Sequence, residues 1–107
     1  MAVPAVVIYE LRHGLARLPT QAARPRLQAL EVLLAPLRVL DFDEGCAQVA
    51  AKLRSQLEAL GTPIGPHDVL IAATALRHGA ALVTRNTREF SRVLGLEVID
   101  WHAGEAG

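Results

Sequence analysis

A single cysteine, Cys46, in a chain of 107 residues excludes an intrachain disulfide framework and fits a reducing compartment, with a buried thiol as its simplest role. Aromatic residues are scarce: one Trp, one Tyr and two Phe make up 4% of the chain, so the core must be built from Ala, Leu and Val. Neither sign of charge dominates. Eleven Lys and Arg balance eleven Asp and Glu, so nucleic-acid binding would need a local basic patch rather than global charge. No apolar run reaches transmembrane length, and the N-terminus lacks the charged region and cleavage site of a signal peptide. The expectation is a soluble, cytoplasmic protein. A glycine-rich phosphate loop is also missing, and Ser55 and Ser91 have no nucleophile-elbow context. His13, His67, His78 and His102 lack the spacing of a zinc site and read as solvated or helix-end residues. Hydrolysis through a protein nucleophile is therefore disfavoured.

What is present is a regular alternation. Apolar runs at 2–8, 37–42, 80–84 and 96–101 read as strands. Between them lie helical patterns: one from Glu10 that stops at Pro19, one with Pro25 near its start that ends at Pro36, and one capped by Asp43 and closed by Gly61. A fourth covers 66–78, with Gly79 as its C′ residue, and a short one covers 87–93. Strands alternating with helices predict an α/β domain with a mostly parallel sheet, and no linker divides residues 1–107.

Polar groups that could converge sit near the carboxyl ends of strands, where open α/β sheets bind ligands. Glu10 follows the first strand, Asp68 opens the helix before the third, Asn86 follows the third, and Glu89 lies one turn further on. Carboxylates with an amide oxygen form an all-oxygen set suited to Mg²⁺ or Mn²⁺. Other roles stand beside this one: Glu10 and Asp68 as partners of a helix dipole, Asn86 as a turn or cap residue.

Three stretches carry a resemblance: Ile-Tyr-Glu-Leu-Arg-His-Gly at 8–14, Gly-Thr-Pro-Ile-Gly-Pro-His-Asp-Val-Leu-Ile-Ala-Ala at 61–73, and Leu-Val-Thr-Arg-Asn-Thr-Arg-Glu-Phe at 82–90. In this order they resemble the PIN-domain ribonucleases, and among those the VapC-type toxins of toxin–antitoxin pairs. The likeness runs from Val3 to Trp101. It implies a Mg²⁺- or Mn²⁺-dependent endoribonuclease that hydrolyses phosphodiesters of RNA and is blocked by a cognate antitoxin. Glu10 matches the family's acid after its second strand, and Asp68 the acid opening the helix after the Pro-Ile-Gly-Pro loop. Asn86 falls where many members carry Asp and some Asn, and Glu89 at a commonly acidic position. On this resemblance Glu10, Asp68 and Asn86 are the catalytic set, and Glu89 joins them as a metal ligand.

The family begins with a strand ending in Asp, and this chain starts at the second strand. The expectation is thus a partial, N-terminally truncated PIN-like domain of three-layer α/β/α type, short of about 40 residues if βα units are the guide. With one acid missing and Asn86 neutral, a weak or inactive nuclease is expected. Exposed strand edges and apolar helix faces then favour a homodimer or higher oligomer. The alternative is a non-catalytic degenerate PIN module that grips an antitoxin or self-associates.

Overall fold

The computed structural model describes residues 2–84 and 86–100. Its contacts gather into two compact units, Met1–Asp41 and Phe42–Gly107.

The first unit runs β1 (Ala2–Pro4), α1 (Ala5–Ala16), α2 (Thr20–Leu34) and β2 (Arg38–Leu40). β1 and β2 pair in parallel, with Val3 opposite Val39. The strand expected over 2–8 ends after three residues, because Pro4 takes the N-cap position and the chain turns helical at Ala5. Val6, Val7 and Ile8 have strand propensity, but local preference is a weak prior that tertiary context overrides. Glu10 consequently does not follow a strand. It lies in the second turn of α1, half-buried, and the first turn of that helix holds no acidic residue, so a first-turn dipole role for Glu10 also falls.

Pro19 likewise starts a helix rather than merely stopping one. Its carbonyl accepts the amides of Ala22 and Ala23 at 3.0 and 2.9 Å, so α2 opens before Pro25 and carries that proline in its interior. Arg12 and Glu31 pair at 2.8 Å between α1 and α2. Both side chains are about half exposed, so this pair contributes little.

The second unit runs α3 (Glu44–Ala59), α4 (Pro66–Arg77), β3 (Leu82–Thr84), α5 (Thr87–Phe90) and β4 (Val98–Asp100). Asp43 caps α3 as its residue type predicts, accepting the Cys46 amide at 2.9 Å. Cys46, Ala50, Leu53 and Leu57 form the buried stripe of α3. It packs on α4, which buries Val69, Ile71, Ala72, Ala73, Thr74 and Ala75. Alanines on α4 leave room for the leucines of α3. Thr74 is fully buried and its hydroxyl donates to the Leu70 carbonyl at 2.7 Å, one turn back, so its buried polar atom is satisfied.

Gly61 closes α3 with φ +71°, its amide bonding Glu58 and the Thr62 amide reaching back to Leu57. A Cβ there would meet nothing within 4 Å, so the cost of Gly61→Ala is conformational alone. We expect that substitution to destabilise the protein by about 1 kcal/mol in chemical denaturation. An unchanged midpoint would show that the helix end relaxes freely.

β3 and β4 also pair in parallel, with Val83 opposite Ile99. The parallel sense follows the alternation in the sequence, and the strands form two two-stranded sheets, one in each unit. α5 stops at Phe90, short of the expected 93, although Phe90 and Val93 are both buried. Trp101, placed at the end of the last strand by its pattern, and His102 lie outside the described residues. No helix among the described residues is long and apolar enough to cross a membrane.

Candidate metal and active site

Two helix starts build this site. Gly65 is the N-cap of α4 and Pro66 its first residue, where a missing N–H costs nothing. Asp68 then falls in the first turn, and the positive end of the helix favours a carboxylate there. Asn86 is the N-cap of α5, and Glu89 stands three residues on.

Glu89 ties the two starts together. One of its oxygens, Oε1, accepts the Gly65 amide at 2.6 Å, and the other, Oε2, accepts Nδ2 of Asn86 at 2.6 Å. The Asp68 carboxyl shares a further hydrogen bond with it. A Cβ placed on Gly65 would stand 3.4 Å from Oδ2 of Asp68 and 3.7 Å from Oε1 of Glu89, so both acids crowd the same point. Arg92 adds a second fastening, its Nη1 donating to the Pro63 carbonyl at 3.0 Å. The loop at 62–65 is thus held to α5 and the turn after it at both Pro63 and Gly65.

The electrostatics follow from these contacts. The Gly65 amide above all holds the Glu89 carboxyl below its ordinary value of 4.5; the bonds with Asp68 and Asn86 and the charge of Arg92 act the same way, and burial opposes them. A lowered folded-state pKa stabilises the fold above the ordinary value, and the benefit disappears as pH falls through the lowered one. The protection factor of the Gly65 amide, its exchange rate relative to the intrinsic rate at each pH, should therefore fall as the solution is acidified below about pH 4.5. In Glu89→Gln that acid-dependent step is expected to vanish; a step that persists would assign it to another group.

Two carboxylates this close repel unless a proton or a cation is shared between them. Asn86 commits its amide nitrogen to Glu89, which leaves the amide oxygen for an ion. Two carboxylates and an amide oxygen suit a hard divalent ion of the Mg²⁺ or Mn²⁺ class.

Of the four residues singled out in the sequence, the structure gathers Asp68, Asn86 and Glu89 at one place in the second unit. Glu10 belongs to the first unit. Asn86 is indeed a cap residue by position, yet its side chain bonds Glu89 rather than a helix amide. The contacts of the Gly65 amide and of Arg92 were not foreseen from the sequence. Neither role has a local signal, because the partners are 24 and 29 residues away. An apolar groove in the second unit, lined by Leu53, Leu57, Leu60, Leu76 and Leu94 among others, includes none of the three site residues.

Residues 1–96 match the PIN domain. The chain belongs to the PIN-domain family. Over 101 residues it is 37% identical to the tRNA(fMet)-specific endonuclease VapC of Shigella flexneri, a match covering 94% of this chain and 75% of that protein. In structure it is similar to a chain of VapBC2 from Rickettsia felis, solved bound to a DNA fragment from their promoter. The TM-score there is 0.86 at 33% identity, covering 94% of this chain and 74% of that one. VapBC-5 of Mycobacterium tuberculosis, a member of the VapBC family of toxin–antitoxin systems, superposes with a TM-score of 0.79 at 28% identity, over 92% of this chain and 79% of that one. This PIN domain therefore has the PIN-like α/β fold with parallel strand pairing, and it resembles VapC ribonucleases over most of its length.

Proposed function

We propose that this PIN domain is a divalent-metal-dependent endoribonuclease that hydrolyses phosphodiesters of RNA in the cytoplasm and is restrained by an antitoxin protein. The observation that carries the reading is the paired Asp68 and Glu89 carboxyls, oriented by the Gly65 amide and Asn86. The names of the relatives support the reaction and the kind of partner. Asp68, Glu89 and the Asn86 amide oxygen would hold Mg²⁺ or Mn²⁺, and Glu10 is proposed as a further ligand on the family resemblance alone. When bound, the ion supplies polarisation and charge neutralisation at the scissile phosphodiester. The protein's own part is positional. The Gly65 amide and the Asn86 amide group fix both oxygens of Glu89, the α4 dipole favours ionised Asp68, and Arg92 keeps the loop before α4 in place.

The test combines Mn²⁺ binding, followed by electron paramagnetic resonance, with cleavage of RNA. Because the relative from Shigella flexneri is named for tRNA(fMet), that tRNA is the first substrate to assay. Mn²⁺ binding in the millimolar range, lost on Asp68→Asn and weakened by Glu10→Ala, supports the proposal. Unaltered binding and cleavage in Asp68→Asn overturns it. The neutral Asn86 favours one competing reading, a non-catalytic module. That reading predicts no Mn²⁺ binding at millimolar concentration together with retained binding of an antitoxin. We also propose a homodimer or higher oligomer, and a monodisperse monomer in light scattering would reject that part.

A further inference from the structure

The geometry points to a second metal site, built from Asp43, Cys46 and His78 and suited to a zinc-class ion. Asp43 is the N-cap of α3, Cys46 lies in the first turn of that helix, and His78 is the C-cap of α4. One ligand atom from each, a carboxylate oxygen, the thiol sulfur and a ring nitrogen, lie within 4.8 Å of one another. Among the described residues this is the one place where three His, Cys, Asp or Glu side chains come so close. None of the three belongs to the Asp68–Glu89 site.

The donor types separate the two sites chemically. Sulfur and imidazole nitrogen select Zn²⁺ or Co²⁺, whereas Mg²⁺ and Mn²⁺ favour oxygen. Three protein ligands also leave the fourth tetrahedral position open to water. Bond lengths of about 2.0–2.3 Å require tetrahedral ligand separations of roughly 3.3–3.7 Å, so a pair standing at the 4.8 Å limit would have to close by about 1–1.5 Å. Asp43 and His78 are exposed and able to supply that movement, while Cys46 is fully buried and anchors the floor. Solvent reaches the site from the side of the two exposed ligands.

One cation already competes there. The Arg77 side chain lies against Gly45, so closely that a Cβ on that glycine would collide with its Nε. The Asp43 carboxyl is held below its ordinary value first by hydrogen bonds with the Cys46 amide and side chain, and to a lesser degree by the Arg77 charge. The nearby Arg77 charge opposes an entering cation. Removing it should therefore strengthen metal binding, an effect that a purely structural capping role for Asp43 and Cys46 does not produce.

Occupancy would clamp the start of α3 to the end of α4, the two helices whose packing forms the core of the second unit. Since α4 carries Asp68 at its other end, the clamp would stiffen the helix that serves the catalytic site.

The experiment is a Co²⁺ titration of the whole chain under reducing conditions. We expect a near-ultraviolet thiolate-to-cobalt charge-transfer band and visible bands of tetrahedral Co²⁺, saturating at one ion per chain, erased by Zn²⁺ and untouched by millimolar Mg²⁺. Cys46→Ser should abolish the charge-transfer band. Because Cys46 is buried and that variant could misfold, His78→Gln at an exposed position is the second arm, expected to weaken Co²⁺ binding at least tenfold. Arg77→Gln should tighten it by about tenfold, as expected for removing a unit charge near a divalent ion. Absence of the band at millimolar Co²⁺, unchanged affinity in His78→Gln, or weaker affinity in Arg77→Gln overturns the site. An Asp68→Asn control leaves the band intact, so failure here is distinguishable from failure at the oxygen site.

Discussion

Asp68→Asn is expected to lower metal-dependent RNA cleavage at least about a hundredfold and to remove Mn²⁺ binding in the millimolar range. The substitution keeps the size of the side chain and deletes its charge, so an effect of that magnitude cannot be assigned to lost packing. Asp68 is only half-buried and sits in the first turn of α4, where the helix would tolerate an amide. Folding stability should accordingly change little. Glu89 keeps its bonds to Gly65 and Asn86, and the new amide can still donate to it in place of the Asp68 carboxyl. A variant that melts normally, fails to bind Mn²⁺ and fails to cleave RNA would locate the defect in the ion. A variant that cleaves RNA as well as the parent protein would remove Asp68 from the reaction.

The second large effect concerns the platform beneath the site. Leu57→Ala should destabilise the protein by about 2–5 kcal/mol, read as a fall in the urea midpoint with little change in slope. Leu57 is 3% exposed and ends the buried stripe of α3. The helix packed against that stripe buries Ala72, Ala73 and Ala75, and no alanine can reach into a space left by a leucine. The cavity should persist, which places the cost toward the upper part of the range. Domains of this size have a total stability of only about 5–15 kcal/mol, so the loss is a large share. Leu60→Ala, one turn away at 70% exposure, is the control and should stay within about 0.5 kcal/mol of the parent. Equal effects at the two positions would contradict the packing described for α3 and α4.

Helix ends in the second unit were plain in the sequence. Asp43 caps α3, Gly61 closes it, Pro66 opens α4 and Gly79 follows it in a left-handed conformation. Each of these residues has a covalent or stereochemical reason to stand where it does, so no tertiary information was needed. The first unit was read less well. Ala2, Val3 and Pro4 pass into Ala5, Val6, Val7 and Ile8 with no polar residue at the boundary, so periodicity alone cannot divide strand from helix. The same blindness moved Glu10 from the end of a strand to the second turn of a helix.

Which acidic residues to propose as metal ligands was thus a matter of sequence: Asp68 and Glu89 each stand near a helix start, at positions set by short-range rules, and the family motifs run through both. What holds them together was decided only in three dimensions. The Gly65 amide on Glu89, the Arg92 guanidinium on Pro63 and the grouping of Asp43, Cys46 and His78 join segments that are 24 to 35 residues apart along the chain. Local stereochemistry acts over one or two turns of helix and can be read from neighbouring letters. Hydrogen bonds and ligand clusters across loops depend on how helices pack, and packing is a property of the whole buried surface.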